Sequence, residues 1–255
     1  MKNDVPYQRL KMTADLPDSG YVVIDTETTG LEPGKDEVLS VAVVDPDGNE
    51  LFYSLVRPIE RRRWPKAAKI HGITWSDVKD KPTIEEIGAQ VASLLREADL
   101  IVGYNVEFDM RMLVANGMPQ VDTQTYDLMP EYARAYGEWG EWKNDYIWMK
   151  LSQCADMYGY RFTAHNALDD AKATAHCFRA FKRECAKELP IVLERESAAA
   201  ERRKRRNAII AVIIAVLVIG GILAFAFNPN LFWGVLGVAL ILLFLLGKVA
   251  KGITS

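Results

Sequence analysis

Apolar and polar positions follow a strand period early in the chain and a helical period later. Residues 21–24 are a short run of β-branched and aromatic side chains closed by the Thr29-Gly30 turn, the pattern of a buried strand. Residues 37–44 and 51–56 read as two more strands joined through Asp45-Pro46-Asp47-Gly48, an antiparallel meander ended by Arg57-Pro58. A long excursion over 61–82 contains Trp64-Pro65 and His71-Gly72-Ile73-Thr74. Thr83, with Glu86 three places on, is a capping box that opens a helix over 84–97. A buried strand is expected at 100–103, a helix at 106–115 stopped by Gly117 and Pro119, and a last strand at 120–123. Helices follow at about 128–136, 150–158 and 167–186. Between the first two, the Trp-, Tyr- and Gly-rich stretch 136–148 reads as a surface loop or as an aromatic platform for bases. Three adjacent strands followed by alternating helix and strand predict a mixed α/β sheet with helices on its faces.

The C-terminal part abandons both periods. Residues 208–227 and 231–247 are apolar runs without a charge, separated by Asn228-Pro229-Asn230. The first has the ~20 residues that span a bilayer and the second is near the lower limit of roughly 17, which predicts a transmembrane α-helical hairpin. Two other readings are a helix pair buried on all sides by protein and a re-entrant hairpin in one leaflet.

Charge sharpens the division. Residues 1–193 carry 23 Lys or Arg against 31 Asp or Glu, a net charge of −8, whereas 194–206 carry six basic against three acidic groups. The run Arg202-Arg203-Lys204-Arg205-Arg206 precedes the first span, and Lys248 and Lys251 follow the second. The positive-inside rule then makes this a two-span membrane protein with both termini and the preceding domain in the cytoplasm. Its position favours topology and contact with anionic lipid for the basic run over nuclear import or a nucleic-acid patch. Residues 1–20 are polar and hold Pro6 and Pro17, so no signal sequence is expected there. The expected organisation is an N-terminal extension (1–20), a catalytic-type domain (21–187), a basic helical linker (188–207), the lipid-embedded hairpin (208–247) and a cytoplasmic tail (248–255). Cys154, Cys177 and Cys185 lack CxxC spacing and fit a reducing compartment without a zinc site.

Candidate chemistry begins at the exit of the first strand. Asp25 and Glu27 are two apart, so a strand presents both carboxylates to one side while Thr26 faces away. Acids so placed repel unless a cation lies between them, and hard oxygen ligands suit Mg²⁺ or Mn²⁺. Alone, the pair is as well read as a solvated strand end. Asp109 follows Tyr104-Asn105 at a helix leaving a strand end, where α/β sheets place their sites. His165 lies in the loop before another helix that carries Asp170 in its first turns. Each has a plain reading as well, as a first-turn acid, a solvated face or a surface histidine.

Taken in order, DxETTG, YNxxFD and HxxxxD resemble the pattern of the DEDDh 3′-5′ exonucleases, which include polymerase proofreading subunits and RNase T. The resemblance runs over about residues 21–181 and extends to His71-Gly72-Ile73-Thr74, Leu151-Ser152 and Leu168-Asp169-Asp170-Ala171; Tyr104 stands where many members have His. It implies an RNase H-like sheet in which Asp25, Glu27, Asp109 and Asp170 hold two divalent cations, Mg²⁺ or Mn²⁺, and His165 is the general base. Imidazole suits that task, since its ordinary pKa of about 6.5 lets it accept a proton near neutrality. The cations would activate water, clamp the phosphate and stabilise the leaving oxygen, reversing the local field so that an acidic domain can handle a polyanion. By the same resemblance Thr28, Gly30 and Leu31 hold the terminal nucleotide, with Phe108 and Ile73 as pocket walls; for these last two, core packing is an equal reading. Asp169 reads as a solvated neighbour.

The implied activity is removal of nucleotides from the 3′ ends of single-stranded DNA or RNA, with nucleoside 5′-monophosphates released. Many relatives pair, so a homodimer is an expectation left open. The contrasting reading is a membrane-tethered nucleic-acid or protein-binding module that has lost turnover.

Overall fold

The computed structural model describes residues 1–227. The chain divides into two compact units, Met1–Val192 and Leu193–Ser255.

In the first unit, β1 (Tyr21–Thr28) is central because its apolar run is covered on both faces. It pairs antiparallel with β2 (Val38–Val44), which pairs antiparallel with β3 (Glu50–Leu55). Its other edge pairs parallel with β4 (Leu100–Gly103), and β4 pairs parallel with β5 (Thr125–Asp127). Among the described residues the sheet therefore has the order β3-β2-β1-β4-β5. This is the RNase H-like mixed sheet with flanking helices that the sequence resemblance implies.

The period of two along β1 sorts the core. Val22 and Ile24 face α4 (Ile84–Glu97) and α5 (Val106–Ala115), meeting Val91, Leu95, Met112 and Leu113. Tyr21 and Val23 face α6 (Leu128–Tyr136), α7 (Leu151–Met157) and the start of α8 (Ala167–Phe227), meeting Tyr132, Cys154, Ala171 and Phe178. The Tyr21 and Phe178 rings meet edge to face with centroids 5.0 Å apart.

Local signals account for most boundaries. Thr83 and Glu86 make the expected capping box, with the Thr83 amide donating to the Glu86 carboxylate at 2.7 Å. The β2–β3 turn closes through Gly48, at φ 85, whose amide donates to the Asp45 carbonyl. The excursion over 61–82 contains two short helices, α2 (Pro65–His71) and α3 (Trp75–Val78), held by a small cluster of Leu39, Trp64 and Val78.

Three placements differ from the sequence reading. The last strand is Thr125–Asp127, five residues beyond the expected start, because Thr123 uses its hydroxyl on the Leu95 carbonyl and pairing with β4 begins only at Thr125. Residues 1–20 are built into the first unit: α1 (Tyr7–Ala14) buries Leu10 in the core, and the Thr13 and Tyr126 hydroxyls lie 2.9 Å apart. Within 136–148, a two-stranded ribbon forms from β6 (Trp139–Gly140) and β7 (Asp145–Tyr146).

α8 is continuous through the polar stretch expected to be helical and into the first apolar run. Among the described residues it is the one helix long and apolar enough to cross a membrane. Ile209, Val212, Val216, Ile219 and Ile222 are all exposed, so this stretch offers an uncovered apolar surface. The second expected span, 231–247, and the tail lie outside the described residues.

Candidate active site

The C-terminal ends of the parallel strands β1, β4 and β5 and the helices leaving them gather the acids. Asp25 and Glu27 project from the same side of β1, where Asp25 lies opposite Ala42 and Glu27 opposite Ser40. Small partners on β2 leave space over both carboxylates. From the facing helix, α8 supplies Asp170 in its first turn, and the preceding loop supplies His165. Ligand atoms of Glu27, His165 and Asp170 all lie within 4.8 Å of one another.

Two backbone devices fix this corner. His165 adopts φ 67, and its amide donates to the Asp170 carboxylate at 2.9 Å. The Asn166 side chain accepts from the Asp169 amide at 3.2 Å, acting as an N-terminal cap for α8. Asp170 is the buried member of the Asp169-Asp170 pair and the one beside Glu27 and His165.

Asp109 arrives from the other side of the sheet. It is buried in the first turn of α5, and its Oδ1 accepts both the Thr26 amide at 3.0 Å and the Thr26 hydroxyl at 2.7 Å. The residue between the two β1 acids, facing away from them, thereby anchors a third. α5 starts from Asn105 in the left-handed region, at φ 77, where Asn is among the few non-glycine residues tolerated. The Asn105 amide donates to the Asp127 carboxylate at 2.9 Å, and the same oxygen caps α6 through the Met129 amide at 3.0 Å.

Electrostatics report how crowded the site is. Burial, reinforced by the charges of Asp109, Asp170 and Glu27, holds the Asp25 carboxyl well above the ordinary carboxylate range. Burial with Asp170 and Asp109 pushes Glu27 up to about 8. Asp109 and Asp170 are also raised by burial, each opposed by hydrogen bonds, from Thr26 and from the 165–166 backbone respectively. Four carboxyls that resist ionising together form a hard oxygen donor set, with an imidazole at its edge, whose repulsion a divalent cation would relieve.

The remaining sequence-derived positions flank this cluster. Thr28 is buried, and its hydroxyl donates to the Gly30 carbonyl at 2.6 Å. Gly30 packs so closely on the Asp36 carboxylate that a Cβ would collide with it. Leu31 is 80% exposed, a large apolar side chain with nothing packed over it. His71 Nε2 lies 3.3 Å from the Thr28 carbonyl, which joins the His71–Thr74 loop to this turn. Ile73 packs partly buried against the Trp64 cluster and Phe108 against the α4–α5 core, so both contribute to packing.

Thr26 and Asp127 escaped the sequence reading. Asp127 carried a usable signal, an acid directly between a strand and a helix; Thr26 carried none, because the alternation of β1 points it away from its neighbours.

The sequence model of the RNase T exonuclease family matches residues 22–178. The chain belongs to this exonuclease family. Its curated relatives include a PolC-type DNA polymerase III of Thermotoga maritima, 30% identical over 177 residues, covering 64% of this chain and 12% of the polymerase. An uncharacterized exonuclease of Escherichia phage 186 is 33% identical over 166 residues, covering 60% of this chain and 83% of that protein. An RNA exonuclease 4 of Aspergillus fumigatus is 28% identical, covering 67% of this chain and 55% of the relative. The chain thus spans only about an eighth of the polymerases it matches. Among solved structures, exonuclease X in complex with 5′ overhanging duplex DNA superposes with a TM-score of 0.50 at 25% identity, over 64% of this chain and 92% of that one. E. coli exonuclease I with a dT13 oligonucleotide gives a TM-score of 0.53 at 22% identity over 67% and 42%, a likeness of fold.

Proposed function

We propose that this exonuclease is a membrane-anchored, metal-dependent enzyme that removes nucleotides from the 3′ ends of single-stranded DNA or RNA, releasing nucleoside 5′-monophosphates. The observation that carries the reading is the convergence of Glu27, His165 and Asp170 within 4.8 Å beside the raised carboxyls of Asp25 and Asp109.

Asp25, Glu27, Asp109 and Asp170 would hold two divalent cations, Mg²⁺ or Mn²⁺; their oxygens and their mutual repulsion both fit such ions. When bound, these would supply Lewis acidity toward the phosphate and lower the pKa of water. The chain's own residues do the rest. The Thr28–Gly30 backbone and the exposed Leu31 seat the terminal nucleotide, with His71 bracing the Thr28 carbonyl from behind. His165 accepts the proton of the attacking water, and its own amide keeps Asp170 oriented meanwhile. Asp109, fixed by Thr26, ties α5 to β1 so that acids on two elements keep one spacing.

The exposed apolar stretch of α8 after residue 207 supports the anchor, and the basic run before it supports a cytoplasmic domain. The two-span hairpin belongs to this proposal.

Asp25→Ala or Asp170→Ala in the full chain is expected to abolish nuclease activity while the protein still folds cooperatively and is still extracted from the membrane. An active Asp25→Ala protein would contradict the assignment; a folded wild-type chain that binds strands without shortening them would favour a binding module.

A further inference from the structure

Residues 57–70, immediately ahead of His71, hold six basic side chains within a unit whose net charge is −8: Arg57, Arg61, Arg62, Arg63, Lys66 and Lys69. The structure divides them. Arg61 pairs with Asp36 at 3.1 Å and donates to the Lys35 carbonyl. Arg62 donates to the carbonyls of Pro58, Ile59 and Arg61, and its guanidinium lies over the Trp75 ring at 4.2 Å. Arg57 is tied to the Lys81 carbonyl. Arg63, Lys66 and Lys69 are exposed, and among the described residues none of their side chains has an ion pair or hydrogen bond.

Their support is rigid. Trp64 is buried and donates its indole N–H to the Ile73 carbonyl at 2.8 Å, which closes the segment around α2. Ala67 and Ala68 pack inward on the Leu39–Trp64–Val78 cluster. Lys66 and Lys69, three apart, therefore share the outward face, and Arg63 precedes them at the helix entrance. The helix ends at His71, which meets the Thr28 carbonyl beside the acids. Nearby acids are engaged: Glu37 accepts from the amides of Ile59, Glu60 and Arg61, Asp77 accepts from the amide of Thr74, the N-cap of α3, and Asp80 lies 3.9 Å from Lys79. Glu60 is the local exception.

We propose that Arg63, Lys66 and Lys69 form a phosphate track that holds the backbone of a single strand as its 3′ end enters the site. The inference rests on the nuclease reading above and names the substrate contact within it. An acidic domain needs local positive charge to hold a polyanion upstream of its metal centre, and unpaired cations on a rigid face adjoining the site supply it. Such contacts read no sequence and distinguish neither DNA from RNA.

The test compares wild type with Arg63→Gln/Lys66→Gln/Lys69→Gln, both full chains in detergent with matched thermal unfolding. Substrates are a long unstructured oligonucleotide and the p-nitrophenyl ester of thymidine 5′-monophosphate, in Mn²⁺ across a salt series. For the oligonucleotide, KM is expected to rise roughly 10- to 100-fold at low salt, and the log–log salt slope to fall by about two, at ~0.7 per lost phosphate contact. Turnover number on both substrates and KM for the ester should stay unchanged. Unchanged KM and slope on the strand would overturn the track while the nuclease reading stands. Equal losses on ester and strand would overturn it too, placing the effect in the Thr28 turn. If wild type cleaves neither substrate the nuclease reading fails, and fluorescence anisotropy of the labelled strand then decides the track: equal affinities overturn it, weaker binding by the triple variant supports it. In nanodiscs, a loss of phosphatidylserine dependence with strand affinity unchanged would assign the face to lipid and overturn it.

Discussion

Replacing Glu27 by Gln should have opposite effects with and without metal. The Glu27 carboxyl has no hydrogen-bond partner among the described residues, and burial together with Asp170 and Asp109 raises it from 4.5 to about 8. The sign follows from proton counting. The folded chain keeps a proton on Glu27 where the unfolded chain has lost it, so stability is full below about pH 4.5 and drains away as pH rises through about 8. A gap of about 3.5 pH units at ~1.36 kcal/mol each sets a ceiling near 4–5 kcal/mol, and partial exposure of the group brings the working figure to about 2 kcal/mol at pH 8. In EDTA at pH 8, Glu27→Gln is therefore expected to be more stable than wild type by about 2 kcal/mol, or ~4–8 °C in Tm for a unit of this size. At pH 5 the difference should shrink toward zero. With Mn²⁺ at ~100 times its Kd the wild type gains about 2.7 kcal/mol, whereas the variant, short of a ligand, gains less, and the order reverses. Tryptophan-detected unfolding of the detergent-solubilised chain at two pH values, with and without Mn²⁺, reads all four states. Destabilisation by Glu27→Gln in EDTA at pH 8, or equal metal stabilisation of both proteins, would refute the reasoning.

Three further changes separate chemistry from scaffold. His165→Ala should lower kcat roughly 10²–10⁴-fold while most of the Mn²⁺-induced rise in Tm survives, since the lost group moves a proton and the four acids remain; steady-state kinetics beside unfolding check this. Asp127→Ala removes the acceptor for the Asn105 and Met129 amides, so stability should fall by about 1 kcal/mol and kcat by roughly 10- to 100-fold as α5 and Asp109 shift. Asp127→Asn, which keeps the acceptor oxygen, should recover most of that kcat. Leu10→Ala opens a cavity in the main core and should cost roughly 2–5 kcal/mol with kcat unchanged below the new Tm.

Sequence and structure agree wherever a local rule and the tertiary packing point the same way. The β-branched run of β1, the Thr83–Glu86 box and the alternation that sends Asp25 and Glu27 one way are each complete within a few residues. α1 is illegible in the sequence because only Leu10 and Thr13 are buried on it; its docking is decided by Tyr126 and by the Arg134 and Gly137 carbonyls that Asn3 reaches, more than a hundred residues away. β5 lies beyond residues 120–123 for a similar reason: its register is set by β4, and residues 120–123 have strand-like composition without a strand partner. At the site, the acids could be found through their order along the chain, but the clasp of Thr26 on Asp109 and the double use of the Asp127 carboxylate are contacts between elements, with no trace in spacing.

The most direct measurement follows single-stranded DNA and RNA oligonucleotides, labelled at either end, incubated with the detergent-solubilised full chain in Mg²⁺, Mn²⁺ or EDTA. The 5′-labelled strands should shorten into a ladder, the 3′ label should leave at once as a mononucleotide, and both should stop in EDTA and in Asp170→Ala. Strands left whole in either metal by a folded protein, or shortened in EDTA, would contradict a metal-dependent 3′ exonuclease built on Asp25, Glu27, Asp109, Asp170 and His165.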